Sequence, residues 1–186
     1  MSNRVDYIAP DQEVIVAKTL DFSESLLAPA IEQRDYRNAT AIFTRYTSTG
    51  FEVGYKNNDT ALRVNSLNRS ESLVVDAGFD SFVRQHWDTL IEGETVRAQF
   101  LVPARLDTVN IGIRATQQTH CSAQSDQALC LVVRPAGLLR LLSWFVDPLY
   151  LAYERDSKRL LQYSGISNLL DDNGAPQDVI IRYEYH

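Results

Sequence analysis

The chain has 186 residues with 18 basic and 24 acidic side chains, a formal net charge of −6. Apolar residues make up 45 % and charged residues 23 %, a globular balance that excludes a disordered or low-complexity chain. The acidic surplus argues against nucleic acid as a partner, because its binders carry a basic patch.

Period-two alternation dominates the chain and marks strands with one buried face. Val14, Val16, Lys18 and Leu20 line one side of an early strand, with Lys18 breaking its apolar pattern. Ile42, Thr44 and Tyr46, then Ser48-Thr49-Gly50, then Phe51, Val53 and Tyr55 read as a β-hairpin over residues 41–56. Leu62 and Val64, and then Ser72 to Val75, suggest two further short strands. Phe79, Phe82, Val83, Trp87, Leu90 and Ile91 form an amphipathic stripe, so a helix is predicted near 79–92, with Gly93 suited to its C′ position.

The cleanest strands follow, over Val96–Val102 and Val109–Ala115. A second helix, near 136–146, is predicted to open at Pro135 and to stop before Pro148. It is apolar nearly all round, so it must be buried or must cover an apolar cavity. Strands resume at Leu149–Tyr153 and Leu160–Ser164, a glycine at 165 suggests a bulge, and Asn173-Gly174 marks a turn before a last strand through Val179, Ile181, Tyr183 and Tyr185. The expected fold is mainly β (α+β): a strongly curved antiparallel sheet or half-barrel of about ten to twelve strands with two packed helices. Residues 1–186 read as one domain.

Cys121 and Cys130 flank a polar stretch at the mouth of a predicted hairpin. They are expected to form a disulfide, which implies an oxidising compartment; two free, semi-buried thiols are the alternative. No transmembrane segment is predicted, since Arg140, Asp147 and Pro148 interrupt the apolar run from Ala136 to Tyr153. The first residues carry no signal-peptide pattern. Met1 is the single methionine and precedes a short polar lead, Ser2-Asn3-Arg4. The expectation is an exported, periplasmic protein whose signal has been removed, with a cytoplasmic protein as the alternative.

Three segments carry a resemblance. They are Phe79-Asp80-Ser81-Phe82-Val83-Arg84 with Trp87-Asp88 and Gly93-Glu94; Phe100-Leu101-Val102-Pro103-Ala104-Arg105-Leu106-Asp107; and Asp147-Pro148-Leu149 with Tyr153-Glu154-Arg155-Asp156 and Tyr163-Ser164-Gly165-Ile166-Ser167-Asn168. Together they resemble uncharacterised exported proteins of Gram-negative bacteria, over most of the chain from Lys18 to Tyr185. More distantly, the pattern is similar to the periplasmic lipoprotein-carrier superfamily. That resemblance implies an open half-barrel whose helices close a cavity for acyl chains.

Candidate chemistry is sparse. His86, His120 and His186 share no metal-ligand spacing, and two cysteines are too few for a zinc ribbon. His120-Cys121 are sequence neighbours, and neighbours on a strand point to opposite faces, so they make a poor catalytic dyad. No nucleophile elbow and no phosphate-binding glycine loop occurs, and no cofactor is expected. Dispersed carboxylates (Asp76, Asp80, Asp88, Asp107, Asp147) leave a hydrolase as a weaker alternative.

The leading expectation is therefore a non-enzymatic periplasmic protein that binds a hydrophobic or lipid-like ligand, or an envelope protein partner. Trp87, Phe100, Ile111, Leu138, Leu142, Trp144 and Phe145 would line the cavity, and Arg105 and Arg114 would meet an anionic head group. The alternative is a solid core built from the same residues, in a structural or interaction module that docks through sheet edges or tyrosines.

Overall fold

Among the described residues, alternating side chains and turn residues build thirteen strands in two sheets. The computed structural model describes residues 2–58, 60–117, 119, 121, 128–136, 147–171 and 175–185. The first sheet is an antiparallel meander in chain order: β1 (Ser2–Ile8), β2 (Val14–Asp21), β3 (Ala30–Asp35), β4 (Ala41–Tyr46), β5 (Phe51–Lys56) and β6 (Arg63–Leu67). The hairpin expected over residues 41–56 is β4–β5, in register from Ala41 opposite Lys56 to Tyr46 opposite Phe51. Its turn closes with the Thr47 N–H donating to the Gly50 carbonyl at 3.0 Å.

The second sheet contains β7 (Leu73–Val74), β8 (Val96–Val102), β9 (Asp107–Ala115), β10 (Ala128–Pro135), β11 (Leu149–Glu154), β12 (Leu160–Leu170) and β13 (Pro176–Arg182). Their order is β13-β12-β11-β10-β9-β8-β7. The expected mainly β class with a curled, half-barrel sheet is thus what the chain forms, with thirteen described strands against the ten to twelve expected. One pair departs from the antiparallel pattern: β7 runs parallel to β8. A parallel pair needs a crossover connection, and the helical segment between β7 and β8 supplies it.

That segment is not one helix over 79–92 but two, α1 (Gly78–Gln85) and α2 (Trp87–Ile91), separated by His86 at φ −103° and ψ 21°. Asp80 in the first turn of α1 and Arg84 in its last turn complement the helix dipole. Gly93 follows α2 at φ 83°, the left-handed cap conformation that glycine adopts without steric cost. A one-turn 3₁₀ segment at Pro103–Arg105 joins β8 to β9. Pro135 does not open a helix. It is the last residue of β10, opposite Ile111 in β9, and the Ala136 N–H extends the pairing to the Asn110 carbonyl. The rest of the expected second helix, 137–146, and the Asn173-Gly174 turn lie outside the described residues.

Two compact units form. One comprises Met1–Ser81, Gln99–Val109 and Leu169–Ala175; the other comprises Phe82–Ala98, Asn110–Asn168 and Pro176–His186. In the first, Leu20, Ile31, Phe51, Val53, Leu73 and Leu101 form a buried cluster. Full burial of one such side chain stabilises by about 1.5–3 kcal/mol. In the second, Val83, Leu90, Ile113, Leu131 and Tyr153 are fully buried. Every residue of β10 from Ala128 to Val133 is buried, so both faces of this strand are covered. A disulfide joins Cys121 and Cys130, with Cα atoms 6.0 Å apart, in a small cluster with Ala128 and Ala152.

Candidate functional site

The inward face of β2 carries Val16, Lys18 and Leu20, and Lys18 is only 4 % exposed. A buried ammonium needs a partner. The Lys18 Nζ donates to both carboxylate oxygens of Asp76, at 2.8 and 3.0 Å, and lies 5.8 Å from the centre of the Tyr7 ring. Asp76 sits between β7 and α1 at φ 47°, and its Oδ1 also accepts the Ala77 N–H at 2.8 Å. Burial alone would lower the Lys18 pKa. The Asp76 carboxylate and then Tyr7 outweigh it, so the net position is above the ordinary 10.5. Lys18 is therefore a charged ammonium at neutral pH. A nucleophilic lysine needs the opposite shift.

A second polar group closes the β3–β4 connection. Buried Asp35 accepts from the Arg37 guanidinium at 2.8 Å, and Arg37 also donates to the Leu170 carbonyl at 2.7 Å. The Asn38 amide reaches the Asp171 carbonyl at 3.4 Å. These bonds tie residues 170–171 to the first unit. Tyr163 donates its hydroxyl to the Ile166 carbonyl. Burial, then the charge on Tyr183 and Asp178, raises its phenol pKa, so it stays protonated.

A cleft of about 240 Å³ opens in the first unit, lined by Ser25, Leu27, Tyr46, Phe51, Arg69 and Glu71 among others. Two of its polar groups, on Arg69 and Tyr46, already serve the fold. Arg69 stacks 4.9 Å over the Tyr46 ring and donates to the Thr47 carbonyl at 2.8 Å. The Tyr46 hydroxyl donates to the Ala28 carbonyl at 2.9 Å. Small-molecule clefts typically enclose about 300–1,000 Å³, so this one falls below the range. None of the residues expected to bind a ligand lines it.

Those residues are placed as follows. Trp87 is 3 % exposed, edge-on to buried Tyr153 at 5.9 Å, with the Lys158 Nζ 5.4 Å from its ring centre. Ile111 is buried on β9. Phe100 is half-buried and edge-on to Phe79 at 6.2 Å. Arg105 and Arg114 are exposed. Phe100 and Arg105 belong to the first unit, and Trp87, Ile111 and Arg114 to the second. Leu138, Leu142, Trp144 and Phe145 lie outside the described residues, as do His120 and His186. His86 packs against Phe82, with ring centres 4.4 Å apart. Among the described residues no group of three His, Cys, Asp or Glu comes together as a metal site, and no helix is long and apolar enough to cross a membrane.

No family model, curated protein or solved structure matches the chain. Geometry alone must therefore point to what it does, and the most distinctive geometry is at the sheet edges. Six of the ten exposed large apolar or aromatic side chains among the described residues lie on or beside an edge strand. Ile8 ends β1, Leu62 and Val64 flank and occupy β6, Ile180 is on β13, and Tyr183 and Tyr185 follow it. Sequence reasoning names sheet edges and tyrosines as docking elements but has no means of choosing these residues. Which strands are terminal in a sheet is a property of pairing order, not of local pattern.

Proposed function

We propose that the protein is a non-enzymatic interaction module of the cell envelope that docks partners by strand addition at its sheet edges. The observation that carries this reading is the concentration of exposed apolar and aromatic side chains on edge strands. A terminal strand offers unpaired backbone N–H and C=O groups, and alternating side chains beside them give specificity. Soluble proteins usually protect such edges with charge or proline; here exposed apolar side chains such as Ile8, Val64 and Ile180 stand among the edge charges, which favours a docking role. The disulfide supports an oxidising compartment such as the periplasm.

The hydrophobic-ligand reading is the alternative. Its basis is the apolar run through Leu138, Leu142, Trp144 and Phe145, and burial of Trp87 beside Tyr153 lends it no support.

Site-specific photo-crosslinkers at Ile8, Val64 or Ile180, introduced in cells, test the proposal against a control at Tyr36, which is 62 % exposed in a turn. Discrete adducts from the edge positions and none from Tyr36 are the expected result. Equal labelling from all four positions would overturn it. So would native mass spectrometry, without detergent, showing a stoichiometric acyl ligand and no edge adducts; that outcome would install the ligand reading instead.

A further inference from the structure

We infer that β13 is a self-complementary edge through which two copies of this chain pair antiparallel about a two-fold axis at Ile180. The inference rests on the docking role proposed above and names its partner as a second copy.

At one end of β13 the Ala175 carbonyl accepts from the Asp171 N–H, and at the other the Tyr183 N–H donates to the Leu161 carbonyl. Both odd-numbered residues thus face β12. Between these two bonds β13 advances eight residues while β12 advances ten. The extra residues therefore belong to β12, where Gly165 has a φ of 142°. β13 itself alternates without interruption between exposed and half-buried residues from Pro176 to Arg182. Its even-numbered residues, Asp178, Ile180 and Arg182, consequently turn their N–H and C=O groups to the outer edge. Among the described residues no strand pairs with that edge.

The side chains then set the partner. In an antiparallel pair centred on Ile180, Asp178 of each copy lies opposite Arg182 of the other, and Ile180 lies opposite itself. These are the hydrogen-bonded positions, giving about six new backbone bonds. Val179 faces Ile181 at the positions between, an apolar pair on the half-buried face. Ile180 is 56 % exposed, and neither Asp178 nor Arg182 forms an ion pair within the chain among the described residues.

Charges on an edge ordinarily repel a second strand. Here opposite signs sit symmetrically two residues either side of the centre, so self-pairing turns them into attractive cross-strand pairs. Pro176 has no N–H to offer at an outward position, so it ends the ladder and blocks a longer, slipped register. Each copy presents the same patch, so the contact closes as a dimer rather than a fibre. A ladder this short is smaller than a standard interface of about 1,600 Å², and the dimer is correspondingly weak.

Sedimentation equilibrium of the full chain over a concentration series tests this, with Asp178→Arg, Arg182→Asp and the double charge swap. Each single reversal places like charges opposite one another twice. It is expected to weaken dimerisation by about tenfold, while the double swap restores it. Matching thermal melts would show that the exposed substitutions leave the fold intact. A wild-type chain that stays monomeric at all concentrations would overturn the inference, as would single reversals without effect or a double swap that fails to rescue. Edge crosslinks to other proteins from a monomeric chain would leave the docking role standing and remove only the second copy as its partner. Absence of both would remove the two together.

Discussion

Lys18 and Asp76 are the clearest case of a single interaction with a measurable consequence. Asp76→Asn keeps the shape of the side chain and suits the left-handed backbone there, but it strands a buried ammonium. The cost is expected to be about 2–3 kcal/mol in urea unfolding at neutral pH, below the range for a fully buried pair because Asp76 stays partly in water. Lys18→Met should cost less, since the remaining carboxylate can hydrate. Equal or negligible losses in the two variants would refute this account.

The pair also sets a pH dependence. Lys18 has a folded-state pKa raised above 10.5, so its contribution is complete below pH 10.5 and is lost as pH rises through the folded value. Wild-type stability should fall across that alkaline window, and Asp76→Asn should flatten the fall. Lys18 was visible in the sequence as a charge in the inward register of a strand. Its partner was not, because it lies 58 residues away.

Gly78 makes a second residue-level prediction. A Cβ there would sit 1.9 Å from the Leu27 carbonyl oxygen, a backbone atom, whereas at Gly112 it would sit 3.5 Å from the Thr95 methyl. Gly78→Ala should therefore lower stability by about 1–3 kcal/mol or more, and Gly112→Ala should change it little. Thermal melts of the two variants decide it; similar melting temperatures would count against the close approach.

At the scale of elements, the disulfide anchors the start of β10. Closing a loop with a sequence separation of 9 stabilises by about 2.5 kcal/mol in the loop-entropy picture. Cys121→Ser with Cys130→Ser is expected to lower the melting temperature by about 5–10 °C. A reducing agent should do the same to the wild type and nothing to the double variant. The pairing of these cysteines followed from their place at the mouth of a predicted hairpin.

The helices are less legible in the sequence. The stripe from Phe82 to Leu90 showed which face is buried, whereas Ile91, read into the same stripe, is 44 % exposed; periodicity does not register the break at His86, because α1 and α2 bury Phe82, Val83, Trp87 and Leu90 with nearly the spacing of one helix. Pro135 illustrates the reverse. Proline suits a first helical turn and a strand end alike, and pairing with Ile111 made it a strand end.

For the whole molecule, the net charge of −6 predicts no saturable binding to single-stranded oligonucleotides, even at low ionic strength where phosphate contacts are strongest. A salt-sensitive anisotropy change with a labelled oligonucleotide would contradict this.

The sequence by itself determined the β class, the position of most strands, the expected pairing of Cys121 with Cys130, and the buried faces of β2, β5 and β9. All of these depend on local periodicity and turn chemistry, which a few neighbouring residues encode. Only the tertiary structure decided that the strands divide between two sheets, that β7 pairs parallel to β8 and that Trp87 lies against Tyr153. It alone decided that, among the described residues, β1, β6 and β13 end their sheets. Those outcomes depend on which distant segments meet, and a strand's own alternation is the same whether a neighbour covers its edge or leaves it open.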